Sequence, residues 1–159
     1  MPWTSEHIKW LVPTREKLKT ADGKDVEVWE FHHQSDAKVL TEWAKHFRNH
    51  YCLDSEIDLL RGRQSRKDFL INLKFPSQSS RLGPGIRAGD FGEILVADYL
   101  QWLFSYWVPR LRWCSKIVRD ESPKGSDVIG FKCIKKDGAS GKDVLAVYEV
   151  KTKFSRGSG

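Results

Sequence analysis

The sequence predicts one mixed domain of helices and strands, an α+β or α/β sandwich, from three features. The chain has 159 residues, the length of a single domain. Two apolar runs, residues 126–133 and 143–151, are rich in the β-branched and aromatic residues that favour strands, and the second run predicts a buried strand. Residues 91–108 are apolar on nearly every side, which is typical of a helix buried between layers.

The first 50 residues predict an N-terminal region of strand and helix that precedes a core at residues 51–159. Residues 1–25 contain two prolines and a polar Gly turn, so we expect a loosely ordered arm. Residues 25–31 alternate between polar and apolar, which predicts a half-exposed strand. A helix is expected to open at Ser35–Asp36, with an apolar stripe at helical spacing formed by Val39, Leu40, Trp43, Phe47 and Tyr51.

The middle of the chain predicts short elements around one long helix. Residues 54–60 indicate a short helix or turn, residues 68–75 fit a helix or a strand equally, and residues 77–85 form a loop of Ser, Gly and Pro. Asp90 is a candidate N-cap for the buried helix, which Pro109 would end. Glu93 is then a first-turn carboxylate favoured by the helix dipole, or an acidic ligand placed where the helix crosses the end of a sheet.

A three-stranded meander is expected at the C-terminal end, beginning with residues 110–119. The polar turn at residues 135–142 would pair the last two strands as an antiparallel hairpin. In a hairpin the start of one strand lies beside the end of the next, so Asp127 and Glu149 are expected to meet. Lys151 shares a strand face with Glu149 because side chains alternate along a strand.

Two carboxylates and an amine at one sheet end suit phosphodiester hydrolysis with Mg²⁺, or with Mn²⁺ in its place. Mg²⁺ binds one or two carboxylates and keeps several waters, and a bound ion polarises phosphate oxygens and lowers the pKa of a bound water. Lys151 would orient that water or stabilise charge on the phosphate. The plainer alternative is that Asp127, Glu149 and Lys151 mark only the point where the strands reach water.

The formal charge of +6 favours a polyanionic partner, nucleic acid before membrane. A basic run could bind phosphates or could be a solvated loop, and it holds Arg61, Arg63, Arg66 and Lys67. Three cysteines without metal-ligand spacing fit a reduced, cytoplasmic setting. The start of the chain does not have the pattern of a signal peptide, and the longest apolar stretch, residues 94–108, is too polar to span a membrane.

The order of helix with Glu93, strand, strand with Asp127 and strand with Glu149-x-Lys151 resembles the restriction-endonuclease-like superfamily, the PD-(D/E)xK nucleases. Residues 85–93, 119–127 and 149–151 look more closely like the HamA-type nuclease subunit of Hachiman antiphage defence systems. The likeness covers about residues 51–153. Ser126 stands where that superfamily's motif has a proline.

This resemblance implies a restriction-endonuclease-like core with a central mixed sheet, in a DNA-degrading subunit that pairs with a superfamily 2 helicase. It implies that Asp127 and Glu149 bind Mg²⁺ with help from Glu93, and that Lys151 serves the attacking water. Arg119 and Lys124 flank the Asp127 motif and are added to the residues expected to contact DNA.

The superfamily core continues past its Glu-x-Lys strand with a further helix and strand, so the chain resembles a core truncated after that strand. A catalytically inert adaptor that docks the helicase, and a non-catalytic nucleic-acid-binding module, are the two other functions that the sequence allows.

Overall fold

The computed structural model describes residues 4–153, and the chain divides into two compact units, Met1–His46 and Phe47–Gly159. Helices and short antiparallel strands make up both units, so the fold is of the mixed α/β class. Within residues 4–153 the strands form three sheets of two strands each. None of the described helices is long and apolar enough to cross a membrane.

The N-terminal unit is more regular than the loose arm that its prolines predict. It contains a 3₁₀ helix, Glu6–Trp10, followed by β1 (Leu11–Pro13), β2 (Leu18–Lys19), β3 (Asp25–Val26) and β4 (Trp29–Phe31). Strand β1 pairs with β4 and β2 pairs with β3, both antiparallel. The single strand expected at residues 25–31 is wrong, because its two halves pair with different partners. Its expected inward residue Val26 is 37% exposed.

Helix α1, Ala37–Tyr51, begins where the sequence predicts. The Asp36 carboxylate accepts hydrogen bonds from the backbone N–H groups of Lys38 and Val39, at 2.9 and 3.1 Å. These bonds satisfy two of the N–H groups that the first turn of a helix leaves without a partner. The N-cap prediction at Ser35–Asp36 is therefore confirmed.

Three short helical segments follow in the second unit: α2 (Ile57–Leu60), α3 (Arg66–Phe69) and a π-helical turn (Leu70–Lys74). The ambiguous run at residues 68–75 is thus helical. Ser65 explains why, since its hydroxyl accepts a hydrogen bond from the Asp68 N–H at 3.0 Å and caps α3.

Helix α4, Gly83–Phe104, contributes Ile94, Ala97 and Leu100 to the core of the second unit. They cluster with buried residues from the end of α1, from the loop after α4 and from the next strand, which are Tyr51, Val108, Trp113 and Val128. The expected N-cap role of Asp90 is wrong, since α4 begins seven residues earlier and Pro84 occupies its first turn. Asp90 instead lies in the helix interior and is buried.

The predicted C-terminal hairpin is confirmed. Strands β5 (Val128–Lys132) and β6 (Val144–Tyr148) are antiparallel, and Val128 lies opposite Tyr148. The interpretation of the Glu149 strand as buried is wrong, because β6 ends at Tyr148 and most of its residues are exposed. Strand β5 lies against α4, whereas the side chains of Leu145 and Val147 on β6 are 62% and 57% exposed.

The strand expected at residues 110–119 is absent from the described residues, where the chain instead turns at residues 112–115. The second edge of β5 has a single bridge, in which Trp107 and Phe131 exchange backbone hydrogen bonds of 2.7 and 2.8 Å. If residues 110–119 paired with this edge of β5 as a strand, Arg112 and Lys116 could not form their ion pairs with α4. The central mixed sheet is therefore not found among residues 4–153.

A close contact between the loop at residues 77–82 and the first residue of α4 requires glycine. A Cβ atom on Gly83 would lie 2.1 Å from the Ser77 carbonyl oxygen, whereas one on Gly85 would meet nothing within 4 Å. The Ser80 hydroxyl also accepts a hydrogen bond from the Gly83 N–H at 3.0 Å. This loop is thus closed tightly over the helix start.

We expect Gly83→Ala to lower the free energy of unfolding by about 1–3 kcal/mol, since the added methyl group must displace backbone atoms. Gly85→Ala makes the same change two residues along the same helix turn without a clash, and is expected to be neutral or slightly stabilising. Urea unfolding of both variants measures the difference. Equal stabilities would contradict the tight closure.

Candidate active site

The backbone brings Asp127 to the residues that follow β6. Because Val128 pairs with Tyr148, the hairpin register sets Asp127 beside Glu149. The Asp127 Oδ2 atom accepts a hydrogen bond from the Val150 N–H at 2.8 Å. The carboxylate of Asp127 is therefore fixed between the two charged residues of the Glu149-x-Lys151 motif.

Glu149 and Lys151 form an ion pair at this end of the hairpin. Their carboxylate oxygen and ammonium nitrogen are 2.5 Å apart, and both side chains are largely exposed. The hydrogen bond and charge of Glu149 raise the pKa of Lys151, and the charge of Asp127 adds to the effect. The Lys151 amine is consequently a cation at neutral pH.

Gly92 on α4 lets this segment approach the helix. A Cβ atom at Gly92 would lie 2.1 Å from Thr152 Cγ2 and 3.3 Å from Val150 Cγ1. Glu93 follows Gly92 directly, so the crossing point of the Glu149-x-Lys151 segment on α4 lies next to the third predicted acidic residue.

Glu93 is buried and paired with an arginine that sequence reasoning missed. The Arg112 Nε atom donates to Glu93 Oε2 at 3.0 Å, and the two side chains are 14% and 8% exposed. Burial raises the pKa of Glu93, and the negative charges of Asp90 and Asp127 raise it further, whereas the charge of Arg112 lowers it.

Arg112 also joins Glu93 to the hairpin. Its Nη2 atom lies 3.4 Å from Asp127 Oδ1, and its Nη1 atom donates to the Ser126 carbonyl at 3.0 Å. In residues 4–153 the oxygens of Glu93, Asp127 and Glu149 do not all lie within 4.8 Å of one another. The structure thus places Arg112 between Glu93 and Asp127, with Glu149 paired to Lys151 beside them.

A second buried ion pair lies one helical turn before Glu93. The Lys116 ammonium contacts both Asp90 oxygens, at 2.7 and 2.6 Å, and both side chains are almost fully buried. The Tyr51 hydroxyl donates to Asp90 at 2.7 Å, and burial, followed by the charge of Asp90, raises the pKa of Tyr51 well above its usual range. One indication in the sequence that Arg112 and Lys116 act together is their spacing of four residues. Side chains at this spacing lie on the same side of a helical turn.

A cavity of about 320 Å³ opens beside Asp127. Its polar lining includes Arg112, Lys124, Ser126 and Asp127, and its apolar wall includes Trp113. Lys124, which was predicted to contact nucleic acid, is exposed at this cavity. The cavity therefore has room for a ligand group beside Asp127. Two cationic side chains, Arg112 and Lys124, line the same cavity.

The predicted basic run is partly neutralised. Asp58 binds both Arg61 and Arg66, and these two hydrogen-bonded guanidinium groups hold the pKa of Asp58 far below its usual range. Arg63 and Lys67 are exposed, and neither has an ion-pair partner among residues 4–153. Two of the four predicted cations thus remain available to an anionic ligand.

In the comparisons with known proteins, a family model described as HamA matches residues 6–159, which is nearly the whole chain. Searches of curated proteins and of solved structures found no match.

We expect Arg112→Gln to raise the pKa of Glu93 further, because the substitution removes the cation that opposes the effects of burial and of Asp90 and Asp127. A carbon-detected NMR titration of the Glu93 carboxyl group measures this shift. The folded chain then holds the Glu93 proton to higher pH than the unfolded chain does. The variant should therefore lose more stability than the wild type as pH rises through that raised pKa. An unchanged titration would contradict the Arg112–Glu93 contact.

Proposed function

The chain belongs to the HamA family, which makes it a protein of antiphage defence, and we propose that it is the DNA-degrading nuclease subunit of such a system. The observation that carries this proposal is the hydrogen bond from the Val150 N–H to Asp127. That bond brings the Asp127 carboxylate to the Glu149-x-Lys151 motif. A phosphodiester hydrolase of this kind needs the two carboxylates and the amine close together in space.

We also propose that the second unit is a version of the restriction-endonuclease-like core. The hairpin β5–β6 and helix α4 would be the part of that core that carries the motif. The support is the order of Glu93 on α4, Asp127 before β5 and Glu149-x-Lys151 after β6, which is the order expected for such a core.

The donor set suits a divalent cation such as Mg²⁺ or Mn²⁺. Asp127, Glu149 and Glu93 offer the oxygen ligands that hard cations bind. The guanidinium of Arg112 already lies between Glu93 and Asp127, so this position stabilises positive charge. Asp127 and Glu149 would hold the ion, with Glu93 in support, and the ion when bound would polarise a phosphate oxygen and acidify a water.

The protein's own groups have distinct roles in this proposal. Protonated Lys151 stabilises the negative charge that develops on the phosphate oxygens as water attacks phosphorus and the bond to the leaving oxygen breaks. A protonated amine suits this electrostatic role and not that of a general base. Asp127 remains oriented throughout, because the backbone of Val150 fixes one of its oxygens.

DNA would reach this site along a basic surface. Lys124 lies at the cavity beside Asp127, and Arg63 and Lys67 are exposed cations elsewhere in the same unit. Cationic side chains contribute to nucleic-acid affinity by binding phosphates and releasing counterions. Arg61 and Arg66 would contribute less while Asp58 binds them.

The proposed partner is a superfamily 2 helicase. Strand β6 supports a partner of some kind, because Leu145 and Val147 are exposed and only one edge of β6 is paired among the described residues. Exposed apolar residues on an unpaired strand edge are a common docking surface. The helicase would cover this edge and bring unwound DNA to the nuclease.

An inert adaptor is the alternative that one observation favours. Arg112 occupies the position between Glu93 and Asp127 that a cation needs in the catalytic proposal. In an adaptor this arrangement would be permanent, and the chain would dock the helicase through β6 without cutting DNA in Mg²⁺ or Mn²⁺.

We expect Glu149→Gln and Lys151→Ala to lower the rate of DNA cleavage by about 10²-fold or more, since each removes a group that acts on the reacting phosphate. Both side chains are exposed, so circular dichroism should show an unchanged fold. The assay measures degradation of linear and circular DNA in Mg²⁺, with and without the helicase subunit.

Glu121→Gln is the matched control, because it neutralises an exposed glutamate in the loop before Asp127 and should leave the rate unchanged. Cleavage by both site variants at the wild-type rate would refute the catalytic assignment. Intact DNA with the wild-type chain and its helicase would leave the adaptor as the function.

A further inference from the structure

A second cavity, of about 530 Å³, lies near the start of α4 and is separate from the residues of the catalytic proposal. Its apolar wall is Ile71 and Phe75. Its polar lining consists of hydrogen-bond donors and cations without any carboxylate, and it comprises Asn72, Ser77, Gln78, Ser79, Arg87 and Arg119. Two arginines without a carboxylate in the lining favour an anion over a cation in this cavity.

Arg87 has an unsatisfied hydrogen-bond donor at this cavity. One of its guanidinium nitrogens, Nη2, donates to the Pro76 carbonyl at 2.8 Å, which orients the side chain. Its Nε–H is buried and has no hydrogen-bond partner. The Arg87 side chain as a whole is half-buried, and no carboxylate lies within ion-pair distance of it in residues 4–153.

Arg119 supplies a second oriented cation. Its Nη1 atom donates to the carbonyls of Ile71 and Asn72, at 2.7 and 2.8 Å. The closest carboxylate, on Asp120, is 3.9 Å from Arg119 and is itself bound by the Ser77 N–H at 2.6 Å. The positive charge of Arg119 is therefore only weakly compensated.

The loop over the helix start adds hydroxyl groups in a fixed arrangement. Ser77 Oγ accepts hydrogen bonds from the backbone N–H groups of Ser79 and Ser80, at 3.2 and 3.1 Å. The contact of Gly83 with the Ser77 carbonyl holds this loop against α4. The Ser77 hydroxyl is thus positioned before any ligand enters, and the Ser79 hydroxyl lies 3.4 Å from it.

We propose that this cavity binds a phosphate group of a nucleic-acid strand, with Arg87 and Arg119 as its charged contacts. A guanidinium group suits phosphate because its N–H donors match two phosphate oxygens at once. Arg87 precedes Glu93 by six residues on α4, which is about 9 Å along the helix axis. The cavity would therefore hold the strand at a phosphate other than the one that is cut. The choice of nucleic acid as the source of the phosphate depends on the proposed function, but the anion site itself does not.

The test measures binding of a fluorescent single-stranded oligonucleotide to the full chain in EDTA, where no cleavage occurs. We expect Arg87→Gln to weaken binding about tenfold, as the loss of a charged hydrogen-bonded contact predicts. Arg81→Gln removes the same charge from an exposed position just before α4 and should change the affinity less than twofold. Equal affinities of the Arg87→Gln chain and the wild type would overturn the proposal.

A second measurement avoids any dependence on how the variant folds. Inorganic phosphate added to the wild-type chain should shift the NMR signal of the Arg87 Nε–H and compete with the oligonucleotide. An unmoved signal at millimolar phosphate would overturn the anion site. A shifted signal combined with oligonucleotide binding that is independent of Arg87 would overturn the assignment to nucleic acid. Repeating the oligonucleotide titration with Glu149→Gln separates the nuclease proposal from the phosphate-site proposal. Loss of nuclease activity in this variant should leave the Arg87-dependent binding intact.

Discussion

Buried carboxylates on helix α4 constrain the rest of the second unit. Asp90, Glu93 and Asp98 lie on α4 among apolar residues, where an unpaired charge is costly. Each is paired with a cation from the segment between α4 and β5, and these cations are Lys116, Arg112 and Arg110. Removing one partner of such a buried pair destabilises a protein by about 3–5 kcal/mol, so these pairs determine the path of that segment.

This path in turn determines where the candidate catalytic groups lie. Arg112 contacts both Glu93 and the residues at the start of β5, so it connects the helix to Asp127. The Asp127 carboxylate then binds the backbone of Val150 and positions the segment that carries Glu149 and Lys151. A chain of ionic and hydrogen-bonded contacts thus runs from the interior of α4 to the exposed end of the hairpin.

The sequence was sufficient where local rules decide the structure. The Asp36 cap predicted the start of α1, and the turn at residues 135–142 predicted a hairpin whose register sets Asp127 beside Glu149. It was insufficient where distant partners decide. Residues 110–119 were expected to form the first strand of a meander, but ion pairs to α4 replace strand pairing there. Asp90 resembled an N-cap because its partner, Lys116, lies 26 residues further along the chain. Arg112 was missing from the predicted site for a similar reason, since it lies 19 residues along the chain from Glu93.

In the proposed function, the end of the hairpin holds a divalent cation on Asp127. Calorimetric titration of Mg²⁺ into the wild-type chain and into Asp127→Ala tests it most directly, with Asp137→Ala, a change in the exposed turn between β5 and β6, as the control. We expect saturable binding by the wild type and the control, and its loss in Asp127→Ala. Binding that is absent from the wild type, or that is unchanged in Asp127→Ala, would contradict a cation site on Asp127.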